Sequence, residues 1–213
     1  MVTLVEGLYL LADDDASGKL LIEHTHLDLG LGGARLMDLV LRQRVTLVHS
    51  HVAVVDRAPT GDQLLDTALS AVAGEPKAHE PEYWVRHLAR GVRNVVEDRL
   101  VKDGVLRRDD HKVLGLIPVH RTPQADGRIE HELVDHLYDA VVLGHPASPE
   151  TAALAALALA IGLERHLFPR SDRRAIQHRM VQIAEGQWVA EAVSHTIGAV
   201  NAALGIDSPV VAD

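Results

Sequence analysis

Arg86, Arg90, Arg93 and Glu97 recur at intervals of four, three and four residues. On a helix of about 3.6 residues per turn they form one narrow stripe, while Val85, Leu88, Val92, Val95 and Val96 fall on another face. Guanidinium groups stacked along one face repel one another and require a counter-charge. Glu97 supplies one unit, and a bound anion would supply the rest. Guanidinium suits phosphate because its planar fork makes paired, charge-assisted hydrogen bonds. The stripe also fits a solvated helix face whose arginines pair with acids of a neighbouring element, such as Glu164 or Asp172. These residues alone leave both arrangements open.

Other constellations promise less. Asp13-x-Asp15-x-Ser17-Gly18 opens like a calcium loop, with Leu20 at its eighth place, but the twelfth place is His24 where a bidentate Glu is needed. It reads as a polar turn. His24-x-His26 and His49-x-His51 each set two imidazoles on one side of an extended segment, and no third ligand is identifiable. Ser194-His195 sits inside an expected helix without a nucleophile elbow. Gly30-Leu31-Gly32-Gly33 fits neither phosphate-loop nor dinucleotide spacing. The expectation is no catalytic residue, no metal and no cofactor.

The elements that position the arginines follow from composition and period. The 213 residues suit one domain, 1–213, and 47 % are hydrophobic but only 3 % aromatic. Such a core is built from Leu, Val, Ala and Ile, which favours packed helices. There is no cysteine, so disulfides and thiolate sites are excluded and an intracellular address is expected. Residues 1–12 carry Glu6 and no positive flank, unlike a signal peptide. The longest uncharged apolar stretch, Thr151 to Leu163, falls short of the roughly 20 residues a spanning helix needs. A net charge of −9 argues against nucleic-acid binding. Residues 84–108 nevertheless hold seven Lys/Arg against three acids, and residues 163–180 hold five against two, basic islands that attract phosphate locally.

Thr3 and Glu6 have capping-box spacing and open a helix to about Ala12. A second helix is expected from Thr25 to Arg44, then a strand over Val45–Val55. Thr60 is the expected N-cap of a helix burying Leu64, Leu65, Ala68, Leu69 and Val72. A long helix follows from Pro81 to Lys102, then a β-hairpin around Val113–Val119 and Asp126–Gly127. Helices over Ile129–Val142, Pro149–Leu167, Asp172–Glu185 and Gln187–Leu204 complete a mainly α, single-domain helical bundle around a central apolar helix, with short strands and a β-hairpin. The Thr151–Leu163 stretch, apolar nearly all round, is expected at the centre.

Three ordered segments resemble the Golgi phosphoprotein 3 family. They are Leu39-x-Leu41-Arg42-x-Arg44; Ala58-Pro59-Thr60-Gly61-Asp62 with Leu64-Leu65-Asp66 and Ala68-Leu69; and Arg90-x-x-Arg93-Asn94 leading to Arg99-Leu100-Val101 and Lys102-Asp103-Gly104-Val105-Leu106. The resemblance extends from Thr3 to Leu204. Arginine outnumbers lysine 17 to 4, which with the Ala and Val richness reads as GC-rich coding and points to a bacterial homologue.

The resemblance implies a helical core with short strands and a non-enzymatic, peripheral membrane adaptor. It would sit on the cytoplasmic face of a membrane and bind phosphatidylinositol 4-phosphate or a related acidic phospholipid headgroup. The family's pocket uses a Trp after the first helix, an Arg opening the second, and two Arg three apart on the long helix. The last two correspond to Arg90 and Arg93, the first two to Glu23 and Gly32. Arg35, one turn on from Gly32, is expected to reach into the same space, with Arg86 assisting. The family hairpin contacts the bilayer and a second copy, which carries over to Leu114, Leu116 and Ile117 in a homo-oligomer formed through the 113–128 hairpin. By its residues alone that segment equally fits an edge strand packed on the core. Glu23, Gly32 and the acidic net charge favour the alternative, a soluble protein–protein interaction module that has lost lipid binding.

Overall fold

The computed structural model describes residues 2–14, 19–107, 109–113, 117–121, 127–169 and 171–204, with the strand residues between 109 and 121 described by their backbone alone. The chain runs α1 (Leu4–Ala12), β1 (Asp13–Asp14), β2 (Lys19–Leu20), α2 (His24–Leu41), β3 (Val45–Val48), β4 (His51–Val54), α3 (Gln63–Gly74), α4 (Pro81–Leu88) and α5 (Val92–Lys102). It continues through β5 (Asp109–Val113), β6 (Ile117–Arg121), α6 (Arg128–Val141), α7 (Pro149–Ala160), α8 (Glu164–Leu167), α9 (Arg173–Ala184) and α10 (Trp188–Ala203). Among the described residues each sheet is a two-stranded antiparallel pair, so the protein is mainly α with short hairpins, as its composition implies.

The capping box at the start of α1 forms as its spacing predicts. The Glu6 backbone N–H donates to the Thr3 hydroxyl at 3.3 Å, and the Thr3 N–H returns to the Glu6 carboxylate at 2.9 Å. A second acid secures the same helix end, because the Leu4 N–H donates to Asp38 Oδ2 at 3.0 Å. Every residue of α1 is buried.

Residues 153–158 of α7 are buried as their apolar run requires, and α2 shares the centre. Residues 29–39 of α2 are all buried, and the helix packs on α1, α3, α4, α5, α7 and α10. Its short glycine run makes this possible. A Cβ on Gly32 would press into the Val85 carbonyl oxygen and lie 2.7 Å from the Ala89 nitrogen, while Gly30 and Gly33 face Ile161 and Val193 just as closely. The run that fitted no phosphate loop serves close packing, against backbone at Gly32 and against side chains at Gly30 and Gly33.

Several expected elements are revised. The Pro81–Lys102 helix is broken at Ala89–Gly91 into α4 and α5. The Val45–Val55 strand is a hairpin: His49 and Ser50 take left-handed φ values of 48° and 63°, and Val45 pairs with Val54. Its two strands alternate in step, so period alone could not reveal the turn. Asp62, not Thr60, caps α3. Its Oδ1 accepts from the Leu64 and Leu65 N–H groups at 2.9 and 3.2 Å, while Thr60 donates its hydroxyl to Asp66 at 2.7 Å. The second helix starts at His24 and ends at Leu41, and the Pro149–Leu167 helix divides at residues 161–163. Of the hairpin residues expected at a membrane or second copy, Leu114 and Leu116 lie outside the described residues, and Ile117 opens β6 with only its backbone described.

Two outcomes follow for stability. Gly32→Ala should cost about 2 kcal/mol or more in urea unfolding, since the obstruction is backbone that cannot rotate away. The second concerns Asp38, whose carboxyl burial pushes up to about 7, against the opposing Arg42 charge and the Val5 and Leu4 N–H groups. A folded pKa above the unfolded value gives stability that is present at acid pH and lost as pH rises through about 7. The melting temperature should therefore fall from about pH 5 to about pH 8, and Asp38→Asn should flatten that slope.

Candidate functional site

Arg35 shapes the junction between α4 and α5. It leaves α2 buried, 8 % exposed, and passes between two helices. Its Nη1 donates to the Leu88 carbonyl at 3.1 Å and its Nη2 to the Leu64 carbonyl at 3.0 Å. Leu88 ends α4, where carbonyls lack intrahelical partners, so the guanidinium satisfies the helix end and answers its negative pole. Burial lowers the Arg35 pKa from its ordinary value, and its Nε has no hydrogen-bond partner among the described residues. Gly91 then takes a left-handed φ of 69°, a turn that side chains resist, and α5 departs in a new direction.

The expected arginine stripe is split by this break. Arg86 is exposed on α4, and Arg90 is exposed within the turn. Arg93, in the first turn of α5, sets its Nε 3.3 Å from Asp28 Oδ1 on α2. Glu97 accepts from the Tyr9 hydroxyl at 3.4 Å, tying α5 to α1. Glu164 faces Arg165 and Gln177, and Asp172 caps α9, so the acids considered as stripe partners are engaged elsewhere. Burial raises the pKa of Asp28, with Arg93 and His24 opposing it.

Arg35 and Arg90 do converge. They line a groove of about 730 Å³ together with Asp62, Arg99, Lys102 and Asp103. Arg86 and Arg93 do not line it. Arg90 and Lys102 are exposed and make no side-chain hydrogen bond or ion pair among the described residues. Lys102 and Arg99 were missed as groove residues. Their only trace in the sequence was membership of the basic island, because the α5 direction that brings them beside Arg90 depends on the break.

Arg99 is held between two helix caps. Its Nε lies 2.9 Å from Glu6 Oε1 and its Nη2 2.7 Å from Asp62 Oδ2, with Asp103 at 3.9 Å. One guanidinium thus joins the carboxylates that cap α1 and α3. The hydrogen bond with Asp62 raises the Arg99 pKa. Burial disfavours the Asp62 charge, but Arg99 and the Leu65 and Leu64 N–H groups outweigh it and hold the carboxyl below the usual range.

Glu23 and Gly32, the departures from the family pocket, have different fates. Glu23 is exposed just before α2 and makes no side-chain cap. Gly32 lies against α4 with no room for a side chain, so an arginine there would require α4 to move. Arg35 lines the groove and donates to the Leu88 and Leu64 carbonyls.

The remaining motifs do not assemble. His24 and His26 start α2 and do not lie on an extended segment, and His26 contacts Asn201 at 3.3 Å. His51 Nδ1 lies 2.7 Å from the His49 carbonyl oxygen. Among the described residues no three His or acidic side chains gather as a metal site. No helix among them is long and apolar enough to cross a membrane.

Fold and site together define a mainly helical protein with a mixed-charge groove at a helix junction. The Golgi phosphoprotein 3 (GPP34) family model matches residues 4–200, and the chain belongs to that family.

Removing the Arg99 head should strand one buried and one partly buried cap carboxylate, Glu6 and Asp62. Arg99→Met is expected to lower unfolding free energy by about 2 kcal/mol in urea titration, and Glu6→Gln in that background should add less than it does alone.

Proposed function

We propose that this chain is a non-enzymatic peripheral membrane protein that binds an acidic phospholipid headgroup beside the α4–α5 junction and serves as an adaptor. Membership of the Golgi phosphoprotein 3 family supports the lipid and adaptor roles, with phosphatidylinositol 4-phosphate or a related lipid as the ligand. The observation that carries the reading is Arg90, exposed in the turn and without an ion pair among the described residues, with Arg35 and Lys102 on the same groove. A headgroup phosphate there takes paired hydrogen bonds from the Arg90 fork. Arg93 joins by exchanging Asp28 for the phosphate, and Arg86 adds charge from α4. In this reading the 113–128 hairpin, through Leu114, Leu116 and Ile117, meets the bilayer or a second copy.

One specific observation favours a second reading, a soluble protein–protein interaction module. Gly32 is closed against α4 and Glu23 stands where the family has a Trp, so only the two α4–α5 arginines of the family set remain.

Sedimentation with vesicles of neutral lipid containing phosphatidylinositol 4-phosphate, phosphatidate or phosphatidylserine separates the two. Binding should weaken with salt and fall about fivefold for each of Arg90→Ala and Arg93→Ala. Asp28→Asn should strengthen it by freeing Arg93. Absence of binding to all three vesicles, or indifference to the double substitution, would reject the lipid site.

A further inference from the structure

A second cavity lies away from the groove, where α1, the end of α2, α6 and the start of α7 meet. It encloses about 480 Å³ and includes Leu4, Leu133, Leu137 and Leu154 among its lining residues. That volume is within the range of small-molecule sites, and an apolar interior with a few polar groups at one end is their usual construction. Here Asp38, 5 % exposed, and the exposed Arg42 are among the polar lining groups.

The lining carries one arginine, Arg42. Arg42 makes no hydrogen bond or ion pair through its side chain among the described residues. His136 and the N-cap Ser148 of α7 also line the cavity, as do Thr3 and Leu4 at the start of α1, whose N–H groups are held by Glu6 and Asp38. Two acids share the lining. Burial pushes the Asp38 carboxyl up to about 7, so its protonated form, which can donate to an oxyanion, is populated near neutrality. Glu150 lies in the first turn of α7, where the helix end partly offsets its charge.

We infer that this cavity binds a free single-chain aliphatic carboxylate, with the chain against Leu133, Leu137 and Leu154 and the carboxylate at Arg42. A cationic head would meet the Arg42 charge. A two-chain lipid or a bulky headgroup suits the exposed groove at Arg90 better than this cavity.

Calorimetric titration of the full chain with octanoate, decanoate, decylamine and decanol, each below its micelle concentration, tests this. Decanoate should bind about 16-fold more tightly than octanoate, roughly fourfold for each added methylene. It should bind more tightly than decylamine or decanol. Arg42→Gln, at an exposed position, should weaken decanoate about tenfold and leave decanol unchanged. Leu133→Trp, if it folds as judged by circular dichroism, should abolish binding of every chain by filling the cavity. Decanoate binding no tighter than decanol, equal binding to decylamine, indifference to Arg42→Gln, or no binding at all would overturn the inference. Vesicles carrying acidic lipid provide the last arm: competition by decanoate for vesicle binding would place both ligands in one site and reject a separate cavity.

Discussion

At Gly32, α2 meets the Val85 carbonyl and the Ala89 backbone of α4 with no side chain between them. That approach brings Arg35, on the next turn of α2, within reach of the last carbonyl of α4. Capping α4 at Leu88 and turning at Gly91 then set the direction of α5. Arg90 is left in the turn, Arg93 is carried toward Asp28, and Arg99 is delivered to the caps of α1 and α3. A wider crossing would detach Arg35 from its carbonyls and remove the geometric basis of the groove.

Four arginines of one chemistry serve four purposes here. Arg35 faces neutral acceptors and is costly to bury, with its charge answered by the carbonyl end of a helix. Arg99 faces carboxylates that themselves satisfy helix N-termini, so each charge in the cluster compensates another. Arg93 holds one acid on α2. Arg90 alone remains exposed and open on the groove, which makes it the point where an external anion adds most. In a chain of net charge −9, such a local cationic surface selects a compact anion and disfavours an extended polyanion.

The two concavities differ in the same physical terms. The groove at Arg90 is broad and lined by charges of both signs. The cavity among α1, α2, α6 and α7 has leucines in its wall and one buried carboxyl, that of Asp38. Asp38 belongs both to that cavity and to the cap of α1, so the end of α1 joins the cavity wall to the Glu6–Arg99 cluster behind the groove.

Local pattern determined the helical class, the α1 capping box, most helix boundaries within a few residues and the family, because caps, period and ordered motifs act over a handful of neighbours. Asp38 went unread in the sequence, because the N–H group its carboxyl holds belongs to Leu4, 34 residues away. Tertiary structure alone decided that the arginine stripe is two segments, that Gly30, Gly32 and Gly33 are contact points, and that Lys102 and Arg99 stand beside Arg90. A helix period runs smoothly through Ala89–Gly91. Gly91 makes the left-handed turn locally, but the guanidinium that caps α4 and the close backbone approach come from another helix and are not encoded by residues adjacent in sequence.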